Sequence, residues 1–412
     1  MLFRQKVRPK PRSSQLKKFE APTGGWIANR NLAQPAQQGA PQGAAILDNF
    51  FPTSTAAVLR RGRELYGQIG DQPIRSLFSY VVGNVQKLFA ANDTTILDIT
   101  NPSYFPWIMI TGNGDEIVTD LGDNIGSPGD LPNLEAMTGL TSGNWIVVQF
   151  ATAGGVFLVG VNGSDPGFIY DGTSFYPNVS GGVRRLNIVS VTTPFEDGET
   201  ITGGTSGATA TVYRAYADHL MITGVTGTFG TSESVTGSAG GDADTSGADV
   251  LAVPGVSFPS GVTLTTADLS YVWAYKNRLF FAQKDSLDAW YLDVDQIGGE
   301  LTLFPLGGVF GRGGEIYFGA TWSLDAGEQG GLSEQCCFFT SEGEVAVYQG
   351  SNPDDANSWS KVGVYRIGRP LGNKAFIRAG GDLVIATSIG FVPLSQAIQR
   401  DYAALSPSAV SY

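Results

Sequence analysis

The side chains that most often carry catalysis are scarce in this sequence. His219 is its one histidine, so a Ser-His-Asp triad or a multi-histidine metal site has little to build on. Cys336 and Cys337 are adjacent within an apolar run, which predicts two core residues of a strand, because a disulfide between neighbours is strained. The glycine-rich stretch 311–319 lacks the Lys-Ser/Thr pair of a phosphate-binding loop. We therefore expect no cofactor and assign no catalytic residue.

Carboxylates are the remaining candidates for acid–base chemistry. Four aspartates lie near the ends of apolar runs: Asp98, Asp171, Asp293 and Asp295. A glycosidase pair among the acids stays open as an alternative, because the spacing that matters is three-dimensional. Acids at strand ends more often cap turns. Asp242, Asp244 and Asp249 weakly resemble a calcium-binding loop but lack its glutamate spacing, so we expect no metal.

These acids belong to a pattern that recurs five times. Each copy has an apolar run, a polar turn and a second apolar run, which predicts a β-hairpin. The copies are residues 87–100, 156–171, 278–294, 336–348 and 382–393. With one insertion set aside, their spacing of about 50–70 residues is that of one four-stranded propeller blade per repeat. A sandwich or jelly roll is the alternative, but neither requires the same hairpin at such a spacing.

The insertion is residues 187–253, which repeat internally. Four residues recur at an offset of 34: Phe195, Glu199, Ile201 and Gly203 as Phe229, Glu233, Val235 and Gly237. Two similar halves predict a small β module set into a surface loop, with hinges at 186–187 and 254–255. A floppy linker is the alternative, which the regular placement of Val, Ile, Tyr and Phe disfavours.

Composition is consistent with a large all-β chain. Of 412 residues, 42% are apolar and 16% charged, and 55 are glycine, which fits many tight turns. No run of apolar residues is long enough for a membrane span, and the basic N-terminus lacks the apolar region of a signal peptide. We expect a β-propeller-like core of about six blades, a small inserted β module, an extended N-terminal arm and a helix over 395–405 that Ser395 caps. The expected domains are 1–20 (arm), 21–186 (strap and first blades), 187–253 (module) and 254–412 (remaining blades and helix).

Positive charge is concentrated at the N-terminus. Seven basic residues and no acidic one lie within residues 1–18: Arg4, Lys6, Arg8, Lys10, Arg12, Lys17 and Lys18. The whole chain has a net charge of −12, so a basic arm precedes an acidic body. Such an arm typically folds on a partner, either nucleic acid or an acidic protein groove. A solvated tail is the alternative.

The segment 46–62, ILDNFFPTSTAAVLRRG, places an aromatic pair beside a double positive charge. Together with GGW (24–26), PIRSLFSY (73–80) and KLFAANDTTILDIT (87–100), it resembles the start of the tail nozzle proteins of short-tailed phages, also called tubular protein B or packaged-DNA-stabilisation proteins. In that family a strap leads to an LxNxFP element, then an arginine-glycine pair, then a first blade. This chain departs from the family in its basic arm and its inserted module.

The resemblance implies a structural virion protein, made in the host cytoplasm. Six copies form a ring at the distal end of the tail, continue the channel for double-stranded DNA, bind the adaptor ring and carry fibres or spikes. It implies that Phe50 and Phe51 are a buried anchor, and that they form a subunit interface with Arg60 and Arg61, whose guanidiniums suit a neighbour's carboxylates. The arm would contact the adaptor or a neighbouring subunit. A polysaccharide-degrading propeller enzyme and a receptor-binding tail protein are the alternatives.

Overall fold

The computed structural model describes part of the chain: Ala44, residues 48–53, 55–60, 72–100, 135–324 and 333–400, Tyr402 and Leu405. The chain divides into two compact units, one of Met1–Leu65 with Ser411–Tyr412 and one of Tyr66–Val410. The seven basic arm residues, the greater part of the strap, and Arg61 lie outside the described residues. No helix in the described part has the length and hydrophobicity needed to cross a bilayer.

The described part of the first unit is a two-stranded antiparallel ribbon. Its strands are β1 (Phe50–Pro52) and β2 (Ala57–Leu59). The Thr53 hydroxyl closes the turn between them: it accepts the N–H of Ala56 at 3.0 Å and donates to the Ala56 carbonyl at 2.9 Å. A short hydroxyl side chain therefore takes over backbone bonds that the turn leaves open.

Five antiparallel sheets form most of the second unit. The first consists of β3 (Ser76–Val82), β4 (Val85–Ala91), β5 (Thr95–Asp98) and β6 (Glu135–Thr138). The second consists of β7 (Ile146–Thr152), β8 (Gly155–Val161), β9 (Phe168–Tyr170) and β10 (Phe175–Pro177). The third consists of β19 (Leu269–Tyr275), β20 (Arg278–Gln283), β21 (Asp288–Tyr291) and β23 (Thr302–Pro305). The fourth consists of β24 (Ile316–Leu324), β25 (Ser333–Thr340), β26 (Glu344–Gly350) and β27 (Trp359–Arg366). The fifth consists of β28 (Phe376–Ala379), β29 (Asp382–Thr387) and β30 (Gly390–Pro393).

The sheets follow one another as propeller blades do. Within each sheet, consecutive strands pair with each other. Strand β3 lies against β7, β7 against β19, β19 against β24, and β24 against β29, so each sheet packs on the next. The expected propeller-like core is confirmed, with five blades in the described residues where about six were expected. Each repeated hairpin supplies two neighbouring strands of a blade, and the residues between the second and third blades form a different structure.

Polar turns begin and end the blade strands, as the repeated pattern predicts. The Asn92 side chain accepts the N–H of Thr94 at 2.9 Å and of Thr95 at 2.7 Å, which turns the chain from β4 into β5. Lys276 and Asn277, with φ of 43° and 57°, form the two-residue turn from β19 to β20. Two successive left-handed residues are what a type I′ hairpin turn requires.

The inserted module is a closed barrel. Its strands are β11 (Val183–Thr193), β12 (Thr200–Gly203), β13 (Thr209–Ala215), β14 (His219–Thr226), β15 (Ser234–Gly237) and β16 (Asp242–Thr245), with β17 (Val250–Val253) beside β11. Pairing runs β11-β14-β13-β12-β15-β16 and returns to β11. Closure removes free strand edges from those six strands.

Two buried glutamates at corresponding positions of the repeat hold the barrel turns. The Glu199 carboxylate accepts the N–H of Ala239 at 3.0 Å. The Glu233 carboxylate accepts the N–H of Thr205 at 3.0 Å and of Ser206 at 2.8 Å. Each glutamate belongs to one half of the repeat and binds a turn of the other half, so the two halves fix each other.

The barrel leaves and rejoins the propeller at one place. Val183 of β11 pairs with Val253 of β17. Just outside them, the side-chain oxygen of the fully buried Asn178 accepts the N–H of Val256 at 2.7 Å. The expected hinge at 186–187 is wrong, because both residues lie inside β11 and pair with β14.

Short elements make up the rest of the described part of the second unit. Strand β18 (Val256–Ser257) pairs in parallel with β22 (Gly299–Glu300), and Thr266–Asp268 is a single turn of 3-10 helix. The C-terminal helix α1 covers Leu394–Gln399 and not 395–405. Ser395 is not its cap: it lies inside the helix and its hydroxyl donates to Asp382 at 2.6 Å.

Large aromatic side chains fill the core between the blades. Trp273 stacks on Phe280 with ring centroids 5.5 Å apart and meets Phe338 edge to face at 5.5 Å. Cys336 and Cys337 of β25 are free thiols and fully buried, as the apolar run predicted. Burial raises the pKa of both thiols.

Candidate functional site

The ribbon of β1 and β2 brings together three of the four residues predicted to form a subunit interface. Phe50 pairs with Leu59, and Phe51 pairs with Val58. Opposed residues of an antiparallel pair share a face, and neighbours along a strand alternate between faces. Phe50 and Leu59 therefore lie on one face and Phe51 and Val58 on the other. Arg60 follows directly, and its N–H donates to the Asn49 carbonyl at 2.7 Å.

Both faces of the ribbon are exposed. The exposed fractions are 44% for Phe50, 60% for Phe51, 50% for Val58 and 63% for Leu59. Within the described residues Phe50 and Phe51 are exposed, so the buried anchor that the resemblance implies stays a prediction. A two-stranded hairpin is only marginally stable in water by itself, and a cluster of exposed apolar side chains marks an interaction surface.

Arg60 adds a half-buried positive group at the base of the ribbon. Its backbone bond to Asn49 fixes where the side chain leaves the ribbon, and Asn49 has a φ of 63°. This left-handed conformation is one that asparagine tolerates better than most residues. Arg61 lies outside the described residues, so the predicted pairing of two guanidiniums with a neighbour stays a prediction.

Val58 and Leu59 were not among the residues predicted for this surface. The sequence does contain a signal for the ribbon. Two adjacent aromatic residues, Phe50 and Phe51, precede a turn of small and hydroxyl residues, and two adjacent aliphatic residues, Val58 and Leu59, follow it. That pattern predicts a hairpin with apolar residues on both faces. It does not predict that both faces are exposed, because such residues are usually buried.

Three of the four strand-end aspartates make hydrogen bonds to neighbouring parts of the propeller. Asp171 accepts the N–H of Thr173 and of Ser174, both at 2.8 Å, and caps the turn from β9 to β10. Asp293 accepts from the buried Arg278 at 3.2 Å. The Asp295 N–H lies in a turn and donates to a backbone carbonyl. These contacts are typical of turn stabilisation.

Asp98, the fourth strand-end acid, lines a cavity. The cavity has a volume of about 360 Å³ and is also lined by Lys87, Glu135 and Arg214. Burial alone would raise the pKa of Asp98, but hydrogen bonds from Thr100 and Lys87 outweigh it and lower the pKa. A glycosidase general acid needs the opposite shift, so this carboxylate is unsuited to that role.

The remaining candidates for chemistry lie in the barrel. His219 begins β14, contacts the Asp218 carboxylate at 2.7 Å and stacks on Tyr216. The carboxylate of Asp249 pairs with Arg184 of β11, while Asp242 is on strand β16 and not in a loop. Within the part of the chain that the structure describes, no cluster of His, Cys, Asp and Glu could hold a metal ion.

In the described residues the chain is nearly all β and joins a propeller-like core of five blades to a closed six-stranded barrel. No family model matches the chain, and no curated protein matches it. A solved structure described as YCF48 bound to D1 peptide matches with 12% identity and a TM-score of 0.21, covering 60% of this chain and 80% of that chain. At that TM-score the likeness carries no argument, so the fold assignment rests on the sheets of this chain.

Proposed function

We propose that this chain is a structural subunit of the distal nozzle of a short phage tail. The observation that carries the proposal is the β1–β2 ribbon, whose four large apolar side chains are exposed on two faces. Such a surface is suited to burial against another subunit. The same segment contains the ILDNFFP and LRRG elements that resemble the nozzle family. Several copies, six by that resemblance, would form a ring with no catalytic role.

The acidity of the chain supports a conduit for DNA. The net charge is −12 and the isoelectric point is about 4.6. A negatively charged lumen repels phosphate and keeps double-stranded DNA from adhering during ejection. In this assignment the ring continues the ejection channel and helps to retain packaged DNA until release.

The basic arm and the barrel supply the other contacts of the nozzle. Residues 1–20 would reach the tail adaptor ring or a neighbouring subunit, where a tethered second contact increases avidity. The barrel would project from the ring as a decoration or as a docking site for fibres or spikes. The location that we propose is therefore the virion.

The first test is the mass of the full-length chain in solution. We expect a ring at concentrations like those in a virion, and we expect Phe51→Ser to dissociate it, because a central aromatic residue of an interface often contributes about 2 kcal/mol or more. The matched control is Leu303→Ser, which removes a comparably exposed apolar side chain from the third blade (43% exposed). A monomer under all conditions would contradict the ring.

The second test places the ring in the tail. Full-length protein should bind adaptor rings from the same virion, protein lacking residues 1–20 should not, and electron microscopy should locate the ring at the tail tip. Release of reducing sugar from host envelope material would favour the enzyme alternative. Binding to host cells without other tail parts would favour the receptor-binding alternative.

A further inference from the structure

The two halves of the barrel have the same structure. The first half is β11, β12 and β13, and the second half is β14, β15 and β16. Within each half the middle strand pairs with the last one. Positive φ values recur at the repeat distance of 34 residues. Ser190 and Gly224 have φ of 53° and 61°, and Gly198 and Ser232 have φ of 91° and 132°. The repeat in the sequence is therefore also a repeat in the backbone.

The strands that join the two halves pair around equivalent residues. Between β11 and β14, Leu186 lies opposite Leu220, which is its equivalent 34 residues further on. Between β12 and β15, Thr202 lies opposite its own equivalent, Thr236. An antiparallel pair in which a residue faces its equivalent has a two-fold axis at that point. The two halves are therefore related as the subunits of a symmetric dimer are.

Hydrogen bonds between the halves come in equivalent pairs. The N–H of Gly204 in the first half donates to the Ser234 carbonyl in the second half at 2.8 Å. The equivalent bond in the other direction runs from the N–H of Ser238 to the Thr200 carbonyl and is also 2.8 Å long. The two barrel glutamates, each of which accepts an N–H of the other half at 3.0 Å, form a second such pair. What the first half offers to the second, the second offers to the first.

The core of the barrel repeats as well. Its larger buried side chains are matched between the halves: Leu186 with Leu220, Ile188 with Ile222, Phe195 with Phe229, and Ile201 with Val235. A second copy of the first half would place the same side chains in the interior, with one additional methyl group where Ile201 takes the place of Val235. Cores tolerate such changes when volume and pattern are kept.

We propose that the inner surface of each half-barrel is a dimerisation surface that fits a second copy of itself. In an isologous interface every contact occurs twice, so one surface is its own partner. The strand register, the hydrogen bonds and the core of the barrel all meet this condition. In this chain the second half covers the first. A chain with a single half would close the same barrel with the single half of another copy. This inference does not depend on the proposed ring.

The first test removes one half from an otherwise complete chain. Deletion of residues 217–250 takes out one period of the repeat and joins Tyr216 to Leu251. The deletion is combined with Phe51→Ser, so that the proposed ring does not mask the result. We expect particles with twice as many chains as those of Phe51→Ser with both halves, which is the control. A shortened chain that folds but has the same number of chains as the control would overturn the proposal.

A cysteine at the symmetry axis tests the arrangement of the halves. Thr202 is exposed, and in the shortened chain it would face Thr202 of the second copy. Thr202→Cys should then link the two copies by a disulfide under oxidising conditions, because opposed residues of an antiparallel pair are close enough for that bond. In the full-length chain, Thr202→Cys with Thr236→Cys should form a disulfide within one chain, and Thr202→Cys alone should form none. The native cysteines are buried. A shortened dimer without the disulfide would overturn the proposal.

A second variant decides the question if the shortened chain aggregates. Residues 217–250 are replaced by a second copy of residues 183–216, so that two first halves lie in one chain. We expect hydrogen exchange in the barrel to stay as slow as in the wild-type chain. Loss of protection throughout the barrel would overturn the proposal. The proposed function is tested separately, since it fails if the wild-type chain never assembles, whatever the half-barrels do.

Discussion

The propeller and the barrel are held together by different means. Between the blades, bulky rings such as Trp273 and Phe338 fill the space, and Gly319 is required because a Cβ there would overlap the Trp273 indole. In the barrel the core consists mostly of Val, Ile, Leu and Ala, and Glu199 and Glu233 fix the turns. A core of large rings is specified by shape and volume. A core of smaller, aliphatic residues leaves more of the stability to hydrogen bonds. The propeller and the barrel should therefore unfold under different conditions.

The largest expected effect is in the propeller, at Trp322. This side chain is 2% exposed and its Nε1–H donates to Asp382 of the fifth blade at 3.0 Å. Trp322→Ala should cost about 3–5 kcal/mol, because it leaves a large cavity. Hydrogen exchange followed by mass spectrometry should show faster exchange in the fourth and fifth blades and unchanged exchange in the barrel. Leu303→Ala is the control. If Trp322→Ala accelerated hydrogen exchange in the barrel as much as in the blades, the two regions would not be stabilised separately.

The next effect belongs to the barrel. Glu233→Gln keeps the shape but weakens the bonds to Thr205 and Ser206, and should cost the barrel about 1–3 kcal/mol, the usual penalty for leaving buried donors poorly satisfied. Glu199→Gln is the matched variant and should cost less, because Glu199 accepts fewer bonds. Exchange measurements should show protection lost only within residues 183–253. Loss of protection in the blades, or equal effects of Glu233→Gln and Glu199→Gln, would contradict the view that the barrel and the propeller are stabilised separately.

Acid should weaken the barrel through Glu233. Burial would raise the pKa of Glu233, but the hydrogen bonds from Ser206, Gly230 and Thr205 outweigh it and lower the pKa from 4.5 to about 2. The stability that this carboxylate contributes is complete above the unfolded value and is lost as the pH falls towards 2. Exchange rates corrected for their intrinsic pH dependence should show the loss, and Glu233→Gln should remove most of it.

Alkali should weaken the propeller through its buried tyrosines. Burial raises the pKa of Tyr271, Tyr275 and Tyr291 above the usual 10. Their contribution is complete below the unfolded value and is lost as the pH rises beyond it. No tryptophan lies within residues 183–253, so tryptophan fluorescence during denaturant unfolding reports the chain outside the barrel. A midpoint that is independent of pH between 9 and about 11 would refute the expectation.

The smallest effect is expected at the contact between the first and fifth blades. The Lys374 ammonium donates to the Ser76 hydroxyl at 2.9 Å. Lys374→Met removes this bond and should cost about 0.5–1.5 kcal/mol, because burial, which lowers the pKa of Lys374, offsets part of what the charged donor contributes. Protection should fall in the first and fifth blades only. Lys361→Met, which removes an exposed lysine from β27, should change nothing measurable.

Local residues made the hairpins of the propeller predictable. The turn at Asn92 and the apolar runs on each side of it are adjacent in sequence, so the pattern contains both strands and their connection. The number of blades was not predictable in the same way, because β6 pairs with β5 across residues 101–134. Closure of the barrel depends likewise on the pairing of Arg184 with Ile222, which no local pattern contains.

The candidate site was predictable in its residue types but not in its exposure. Phe50, Phe51 and Arg60 were found because an aromatic pair next to arginines is unusual in a turn-rich segment. Exposure depends on what the rest of the chain covers, and that is a property of the whole fold. For the same reason the sequence could not show that Leu59 would be 63% exposed.

The junction between barrel and propeller at Asn178 has a consequence for the evolution of such a chain. Because Val183 pairs with Val253 and Asn178 binds Val256, the two ends of the barrel lie side by side at a junction that the propeller closes with its own residues. A recombination event that removed or exchanged the codons for 183–253 would need only a short bridge between β10 and β18. The barrel can thus be exchanged as one unit. Its outer surface can then diversify while the blades stay the same.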